Sequence, residues 1–203
     1  RQRQMCIRDR IKADPGELVR AAARKRLINF ARYMQPDLVL EPFHVVYYTL
    51  LDKFAHGKIR KMIVQQPPQH GKSEGSSRKL PAFMLGLDPD RKICIGSYAA
   101  TIARDFNRDV QRIIDTPRYR ELFPGTYLNG SNVVTMANTY LRNSDVIEMV
   151  GRKGSLRVVG RGGSLTSKTV DVSILDDVYK DYAEGNSPIV RAAAWKWYTT
   201  VVR

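Results

Sequence analysis

The tripeptide Gly71-Lys72-Ser73 is the stretch whose residue types and order best suit chemistry on phosphate groups. The apolar run Met62-Ile63-Val64 precedes it and predicts a buried strand that ends before Pro67-Pro68. Residues 74–87 follow it and predict a helix, with Pro81 as the only proline. Strand, loop, Gly-Lys-Ser and helix is the order of a phosphate-binding loop, where backbone N–H groups and the start of a helix attract phosphate.

The loop predicts a role for each of its reactive side chains. Lys72 would contact the β- and γ-phosphates of a nucleotide, and the Ser73 hydroxyl would hold Mg²⁺. The complete motif has glycine five positions before Gly71, where this chain has Gln66, so an ordinary strand-to-helix turn remains an alternative for this stretch alone. The predicted nucleotide-binding residues are Pro68, Gln69, His70, Gly71, Lys72, Ser73 and Glu74.

Two adjacent carboxylates, Asp176 and Asp177, form the second group of reactive residues. They end the apolar-rich residues 170–175, which predict a strand, and ligands bind at the carboxyl ends of parallel strands. Phosphoryl transfer to water needs a carboxylate near Mg²⁺ and a group that positions the attacking water. Asp176 suits the first task and Asp177 the second. The pair alone is also compatible with an Asp-Asp turn, but together with the loop it predicts a nucleotide-binding domain.

Composition limits the classes of function that remain. The 203 residues suffice for one α/β domain, and no run is long enough to span a bilayer. The net charge of +14 favours a polyanionic partner, nucleic acid first, with a generally basic protein as the alternative. Two cysteines, Cys6 and Cys94, do not suggest a disulfide framework, so a reducing compartment fits. The cysteines and the three histidines show no zinc-ligand spacing, so a structural zinc site is not expected.

Strand and helix patterns alternate along the chain. Asp14 predicts a helix N-cap, and Phe43, Tyr47 and Leu50 predict the core-facing stripe of a later helix. The later patterns predict a strand over 92–98, a helix over 101–115, a hairpin of 146–150 with 156–159, and the strand over 170–175. This alternation predicts an α/β three-layer sandwich with a mostly parallel central sheet and N-terminal helices.

The chain divides into three parts at the sequence level. Residues 1–10 are basic, lack apolar periodicity and are interpreted as a non-native or adaptor-derived tail. Residues 11–58 are predicted to form an N-terminal helical region, and residues 59–203 the core of a P-loop ATPase. We expect this core to be truncated at its carboxyl end, since the final pattern stops without a helix cap.

The combined motifs resemble the ATPase domain of phage terminase large subunits. The resemblance runs from about Ala31 to Arg203 and is carried by Pro67–Ser73, Ser97-Tyr98, Gly163–Thr166 and Leu175–Asp181. It implies an ASCE-type, RecA-like P-loop NTPase that uses ATP and Mg²⁺ to drive double-stranded DNA into a procapsid in the host cytoplasm. The partners it implies are the portal and procapsid, a small terminase subunit and further copies of the chain in a ring, with no membrane. The nuclease domain of the family would lie beyond this chain.

The same resemblance implies catalytic roles. Asp177 takes the position of the catalytic acid, which is glutamate in many members, and an aspartate reaches one methylene less far. In relatives the loop before this strand often reads Thr-Gly-Arg-Gly, and its arginine is a candidate finger toward the γ-phosphate. Here the loop contains Lys168, which supplies charge without the bidentate fork of arginine, and Arg161 on the preceding glycine-rich loop is the second candidate.

Two other functions use the same residues. A helicase-type or other nucleic-acid translocase would share the ATPase core and would carry a second similar domain. A nucleotide-gated DNA-binding or assembly module would bind nucleotide without turnover, with Gln66 and Asp177 marking the loss of hydrolysis.

Overall fold

A computed structural model of the chain describes residues 14–134, 139–165 and 169–202. These residues form helices around a four-stranded sheet, which is the α/β class that the sequence predicts. The tail proposed for residues 1–10 lies outside the described residues. No helix within the described ranges is long and apolar enough to cross a membrane.

Three helices precede the phosphate-loop sequence: α1 (Pro15–Lys25), α2 (Leu27–Met34) and α3 (Pro42–Ala55). The predicted N-cap is confirmed, because the Asp14 side chain accepts the N–H of Gly16 at 3.1 Å. The chain is extended at Arg26, which separates α1 from α2. Asp52 on α3 accepts the N–H of Leu27 at 2.8 Å, so α3 caps the start of α2.

The core-facing side of α3 differs from the predicted stripe. Tyr47 is buried as expected, but Phe43 and Leu50 are 42% and 38% exposed, so the stripe was wrong for both. The buried positions are instead Tyr47, Tyr48, Leu51, Asp52 and Ala55. These positions still have helical spacing. Relative to the predicted stripe, the buried face is shifted around the helix, so that the side chains of Tyr47 and Tyr48, and not that of Phe43, pack toward the rest of the domain.

The sheet contains β1 (Lys92–Ser97), β2 (Val146–Glu148), β3 (Ser155–Gly160) and β4 (Val172–Leu175) in the order β2-β3-β1-β4. Strands β3 and β4 both pair with β1 in parallel, and β2 pairs with β3 antiparallel. The sheet is therefore open and mixed, mostly parallel as predicted, and the predicted hairpin is confirmed.

Helices contact both faces of β1. Ile93 and Ile95 belong to the larger core cluster with α5 (Ala100–Asp115) and α6 (Pro117–Leu122). Cys94 faces the other way, into a smaller cluster with Trp197 of α8 (Pro188–Trp197). The short helix α7 (Tyr182–Asn186) precedes α8, and a π-helical turn (Tyr198–Val202) follows it. This arrangement is compatible with a three-layer sandwich.

The strand predicted over Met62-Ile63-Val64 is not formed, so that prediction was wrong. The segment has no regular secondary structure, and Ile63 is 91% exposed while Met62 and Val64 pack against the larger core cluster. The side chains of Met62 and Val64, two residues apart, hold the segment against the core. Pro67 and Pro68 at its end have no N–H group to donate to a neighbouring strand. The helix predicted over 74–87 is confirmed as a π-helical turn, Glu74–Lys79, that continues into α4, Leu80–Leu87.

Candidate functional site

The ammonium group of Lys72 joins the two groups of reactive residues. Its Nζ lies 2.5 Å from Oδ1 of Asp177 and 3.3 Å from Oδ1 of Asp176. Burial lowers the pKa of Lys72, but the hydrogen bond to Asp177 and the charges of both carboxylates more than offset it, and the pKa lies above its ordinary value. Lys72 is therefore a cation held between two anions, and the structure brings together three of the predicted site residues.

Pairing between β1 and β4 positions the two carboxylates. The N–H of Asp176 donates to Gly96 O at 2.8 Å, and the N–H of Tyr98 donates to Asp177 O at 2.9 Å, which extends the pairing beyond β4. Asp177 then adopts a φ of +48°, an uncommon value for a residue other than glycine, and turns the chain away from the sheet. As a result Asp176 is 4% exposed whereas the Asp177 side chain is 60% exposed.

Ser77 is a site residue that the sequence analysis missed. Its hydroxyl donates to Oδ2 of Asp176 at 2.6 Å, and its side chain is fully buried. Ser73, the predicted metal ligand, lies at the start of the same helix and is half-buried. The signal that could have found Ser77 is its spacing, because residues four apart share a helix face and Ser77 stands four positions after Ser73.

The loop before Lys72 uses left-handed backbone at two positions. Gln69 has a φ of +63° and Gly71 a φ of +75°. His70 lies between them, with its Nδ1 2.7 Å from Pro68 O, and His44 of α3 places its Nε2 3.3 Å from His70 O. Glycine is the residue that tolerates such a φ without strain, which explains its presence directly before Lys72.

Tyr47 holds the start of the helix from the side of α3, and it is the second residue that the sequence analysis did not assign to the site. Its hydroxyl donates to the carbonyl oxygen of Lys72 at 2.5 Å, and burial raises the pKa of Tyr47 to about 12, so the phenol is neutral. The helix approaches so closely that a Cβ on Gly75 would lie 2.5 Å from Cε1 of Tyr47. Gly75 is therefore required for this approach.

Arg161, a candidate finger, is engaged elsewhere. Its guanidinium binds both carboxylate oxygens of Glu184, at 2.8 and 3.1 Å, and donates to Val178 O at 2.9 Å. The guanidinium therefore stabilises the chain that follows Asp177, and its charge is already paired with Glu184. The other candidate, Lys168, lies outside the described residues.

Glu74, the last of the predicted loop residues, directs its carboxylate along its own helix. Its Oε1 lies 3.0 Å from Nζ of Lys79 and its Oε2 lies 3.8 Å from Nε of Arg78. This placement gives Glu74 a structural role at the helix start.

The donor groups fit magnesium held mainly by a nucleotide. The described residues contain no group of three or more His, Cys, Asp or Glu side chains that could hold a metal. Mg²⁺ bound with a nucleotide needs only one or two protein oxygens, since phosphates and waters supply the remainder. The buried carboxylate of Asp176 and the hydroxyl of Ser73 meet this requirement in chemistry and number.

A surface cavity lies away from these residues. It has a volume of about 840 Å³, and its lining includes Arg108, Gln111, Arg142 and Asp145. Arg142 is already bound by the carboxylate of Asp115. The cavity therefore contains neither the loop nor the end of β4, and we do not assign it to the site.

Comparisons of this chain with protein-family models, with curated proteins and with solved structures found no match. The fold and the site together define an α/β domain with a Gly-Lys-Ser loop and two carboxylates at the carboxyl edge of its sheet. Its function therefore has to be inferred from these residues and their geometry.

Proposed function

We propose that this chain is a P-loop ATPase of the ASCE, RecA-like type, the motor domain of a viral DNA-packaging enzyme. One observation carries the proposal: Nζ of Lys72 lies 2.5 Å from Asp177 and 3.3 Å from Asp176. The lysine that would contact phosphates and the carboxylates that would serve Mg²⁺ and water thus share one point at the sheet edge. Phosphoryl transfer to water requires this combination of groups.

Each of these residues has its own role in the proposed reaction. Phosphate oxygens of ATP replace the carboxylates as partners of Lys72, and Ser73 with Asp176 would hold Mg²⁺. When bound, the metal neutralises charge on the phosphates. The exposed Asp177 orients a water whose oxygen attacks the γ-phosphorus. The bond from that phosphorus to the terminal oxygen of ADP breaks, and Asp177 accepts a proton from the water.

The resemblance and the charge extend the proposal to partners. A net charge of +14 suits double-stranded DNA as the cargo. The motor would act as a ring of copies, with a portal, a procapsid and a small terminase subunit, in the cytoplasm of the host. The nuclease that completes such an enzyme would be a separate domain.

Calorimetry with ATP and Mg²⁺ tests the site. We expect Lys72→Ala to weaken binding about tenfold or more, because it removes the positive charge that contacts the phosphates. The control Lys196→Ala removes an exposed lysine on α8 and should bind as the unchanged protein does. Equal affinities for Lys72→Ala and the unchanged protein would rule out the loop as the nucleotide site.

Nucleotide binding without turnover is the second candidate function, and one observation favours it. Asp177 is ion-paired with Lys72 and is shorter than the glutamate of many relatives, so its reach to a water is reduced. Phosphate release in the presence of DNA separates the two functions. We expect Asp177→Asn to keep nucleotide affinity and to lower turnover about 10²- to 10⁴-fold. Release from the unchanged protein that does not exceed that of Asp177→Asn would favour the binding module.

A further inference from the structure

We propose that the amino-terminal end of the sheet, opposite Lys72, binds the phosphate backbone of duplex DNA. The choice of DNA rests on the proposed function, whereas the surface itself rests on charge and geometry. We call this surface the basic end. Its members are Lys58, Arg60, Lys61, Arg91, Lys92, Arg152 and Lys153.

The turn of the β2–β3 hairpin carries two of these cations at a fixed position. Arg152 and Lys153 are exposed and lie between Gly151, with a φ of +72°, and Gly154. A Cβ on Gly154 would lie 2.1 Å from Pro89 O, and the N–H of Gly154 donates to that oxygen at 3.1 Å. The turn is therefore packed against the chain that leads into β1, and its two cations have a defined place.

Backbone contacts connect this turn to the other cations. Arg91 accepts the N–H of Ser155 on its carbonyl at 3.1 Å, and its guanidinium donates to Ala55 O at 3.1 Å. Ala55 ends α3, and the exposed Lys58 follows three residues later. The hairpin turn, the start of β1 and the segment after α3 thus form one continuous surface.

The carboxylates near the basic end are mostly occupied by backbone N–H groups. Asp90 accepts the N–H of Lys153 at 2.8 Å, and Asp171 accepts the N–H of Lys92 at 2.8 Å. Within the described residues, Arg91 is the only member of the basic end in an ion pair, with Asp88 at 3.5 Å. Lys92 donates to the Thr169 hydroxyl at 2.7 Å, a neutral acceptor that leaves its charge in place. The seven cations of the basic end outnumber the carboxylates Asp88, Asp90 and Asp171, so the surface keeps an excess of positive charge for an external anion.

The opposite end of the sheet is rich in carboxylates. Asp176, Asp177, Asp181 and Glu184 follow β4, and two cations there, Lys72 and Arg161, are already paired with carboxylates. Duplex DNA is therefore attracted more strongly to the basic end than to this edge, where the proposed function reserves Lys72 for the phosphates of one nucleotide. Separating DNA from nucleotide also avoids repulsion between their phosphates.

The chemistry of the surface favours nucleic acid over an acidic protein. A duplex presents one negative charge per about 1.7 Å of its axis, and contacts to phosphates need charge rather than apolar burial. Protein interfaces are built around an apolar core. The members of the basic end are all charged, and a groove of about 410 Å³ beside them has Lys92, Arg152, Lys153 and Arg157 in its lining. Its lining also contains Glu148, which is paired with Arg157 at 3.5 Å, so the cations outnumber the carboxylate there.

Fluorescence anisotropy with a labelled duplex, without nucleotide, tests the proposal on the full chain. We expect Arg152→Glu combined with Lys153→Glu to weaken binding about tenfold or more and to reduce the salt slope by about 2. Arg152→Gln with Lys153→Gln, which introduces no repulsion, should weaken it less. The control Lys25→Glu with Arg120→Glu makes the same change in net charge at exposed positions of α1 and α6 and should retain most of the affinity.

Each outcome decides for or against the surface. An equal loss in the control would mean that net charge alone attracts DNA, and no loss in either hairpin variant would place the contact elsewhere. No binding of duplex by the unchanged chain would overturn the proposal in favour of an acidic protein partner. Lys72→Ala that binds DNA normally while losing ATP would show that the surface is independent of the nucleotide site, so failure of one proposal is distinguishable from failure of the other.

Discussion

At the scale of single residues, the buried carboxylate of Asp176 is the group that most needs hydrogen-bond and ion-pair partners. A charged group that is 4% exposed is stable only with partners, because burial removes its hydration. Lys72 supplies the counter-charge at 3.3 Å, and Ser77 supplies a hydroxyl at 2.6 Å. A nucleotide that engages Lys72 leaves Ser77 as the protein donor that still fixes this carboxylate, so Ser77 is a positioning residue for Asp176.

We therefore expect Ser77→Ala to lower the free energy of unfolding by about 1–3 kcal/mol, since it leaves a buried anionic acceptor without its hydroxyl donor. Ser131→Ala is the control. Ser131 is exposed and lies away from Asp176 in the chain, so its replacement should change stability by less than about 0.5 kcal/mol. Urea unfolding measures both variants. Equal effects would mean that the Ser77–Asp176 contact contributes nothing specific.

The same distinction applies to ATP affinity measured with Mg²⁺. A purely structural role for Ser77 would leave the affinity of the folded protein unchanged, whereas a positioning role would weaken it. Replacement by threonine, which keeps the hydroxyl, should restore affinity to the extent that the added methyl group fits the buried site.

At the scale of elements, the contact between α3 and the helix after the loop depends on Gly75, which has no side chain. The Cβ of Gly75→Ala would lie 2.5 Å from the ring of Tyr47 and must displace it from the Lys72 carbonyl. We expect a loss of about 1–3 kcal/mol in the free energy of unfolding, together with weaker ATP binding.

Gly185→Ala is the control for that substitution. Gly185 lies in α7, and a Cβ there would meet no atom within 4 Å. Because alanine is the better helix former, this variant should be neutral or stabilising by up to about 1 kcal/mol. A Gly75→Ala protein as stable as Gly185→Ala would contradict the close approach between the two helices.

The Arg161–Glu184 ion pair joins the end of β3 to α7 and makes stability depend on pH. The hydrogen bond from Arg161, with that from the N–H of Lys180, lowers the pKa of Glu184 from 4.5 to about 2. A depressed pKa in the folded state means that the pair stabilises the fold above about pH 4.5, and that this contribution is lost as the pH falls toward about 2.

Glu184→Gln should therefore have a lower thermal midpoint than the unchanged protein at neutral pH, with a difference that shrinks between pH 4.5 and about 2. Arg161→Gln should show the same trend, because it breaks the same pair. Thermal unfolding followed by circular dichroism over this range measures the difference. A constant difference at every pH would mean that the ionisation of Glu184 does not contribute.

The elements show what sequence patterns can predict. Strand β1 and helix α5 follow from clear periodicity, and β4 follows from an apolar run that ends in two carboxylates. The run Met62-Ile63-Val64 has the same composition but stays outside the sheet, because pairing depends on a partner edge that composition does not encode.

The site was predictable to a similar extent. Lys72, Asp176 and Asp177 carry their chemistry in local motifs and meet as expected. Ser77 and Tyr47 could not be assigned in this way, because their roles arise only from contacts between elements that are distant in sequence. A serine in a helix and a tyrosine in a core stripe are ordinary residues until tertiary packing places them beside a carboxylate or a loop.

At the scale of the whole molecule, the candidate site is assembled from separate parts of the chain: α3 through Tyr47, the loop through Lys72, and the end of β4 through Asp176. A ligand that binds this assembly binds only the folded state. At about 100 times its dissociation constant it should stabilise the fold by about 2.7 kcal/mol. For a domain of this size that corresponds to a rise of about 5–10 °C in the thermal midpoint.

We expect ATP with Mg²⁺ to produce this rise in the unchanged protein and in the Lys196→Ala control, and to produce little or none in Lys72→Ala at the same concentration. The reason is that Lys72 connects the loop to both carboxylates, so its loss removes the proposed phosphate contact and these ion pairs between the parts. Differential scanning calorimetry measures the shift. A full shift in Lys72→Ala would mean that nucleotide stabilises the chain from a different surface, and the assignment of phosphate binding to residues 68–74 would be wrong.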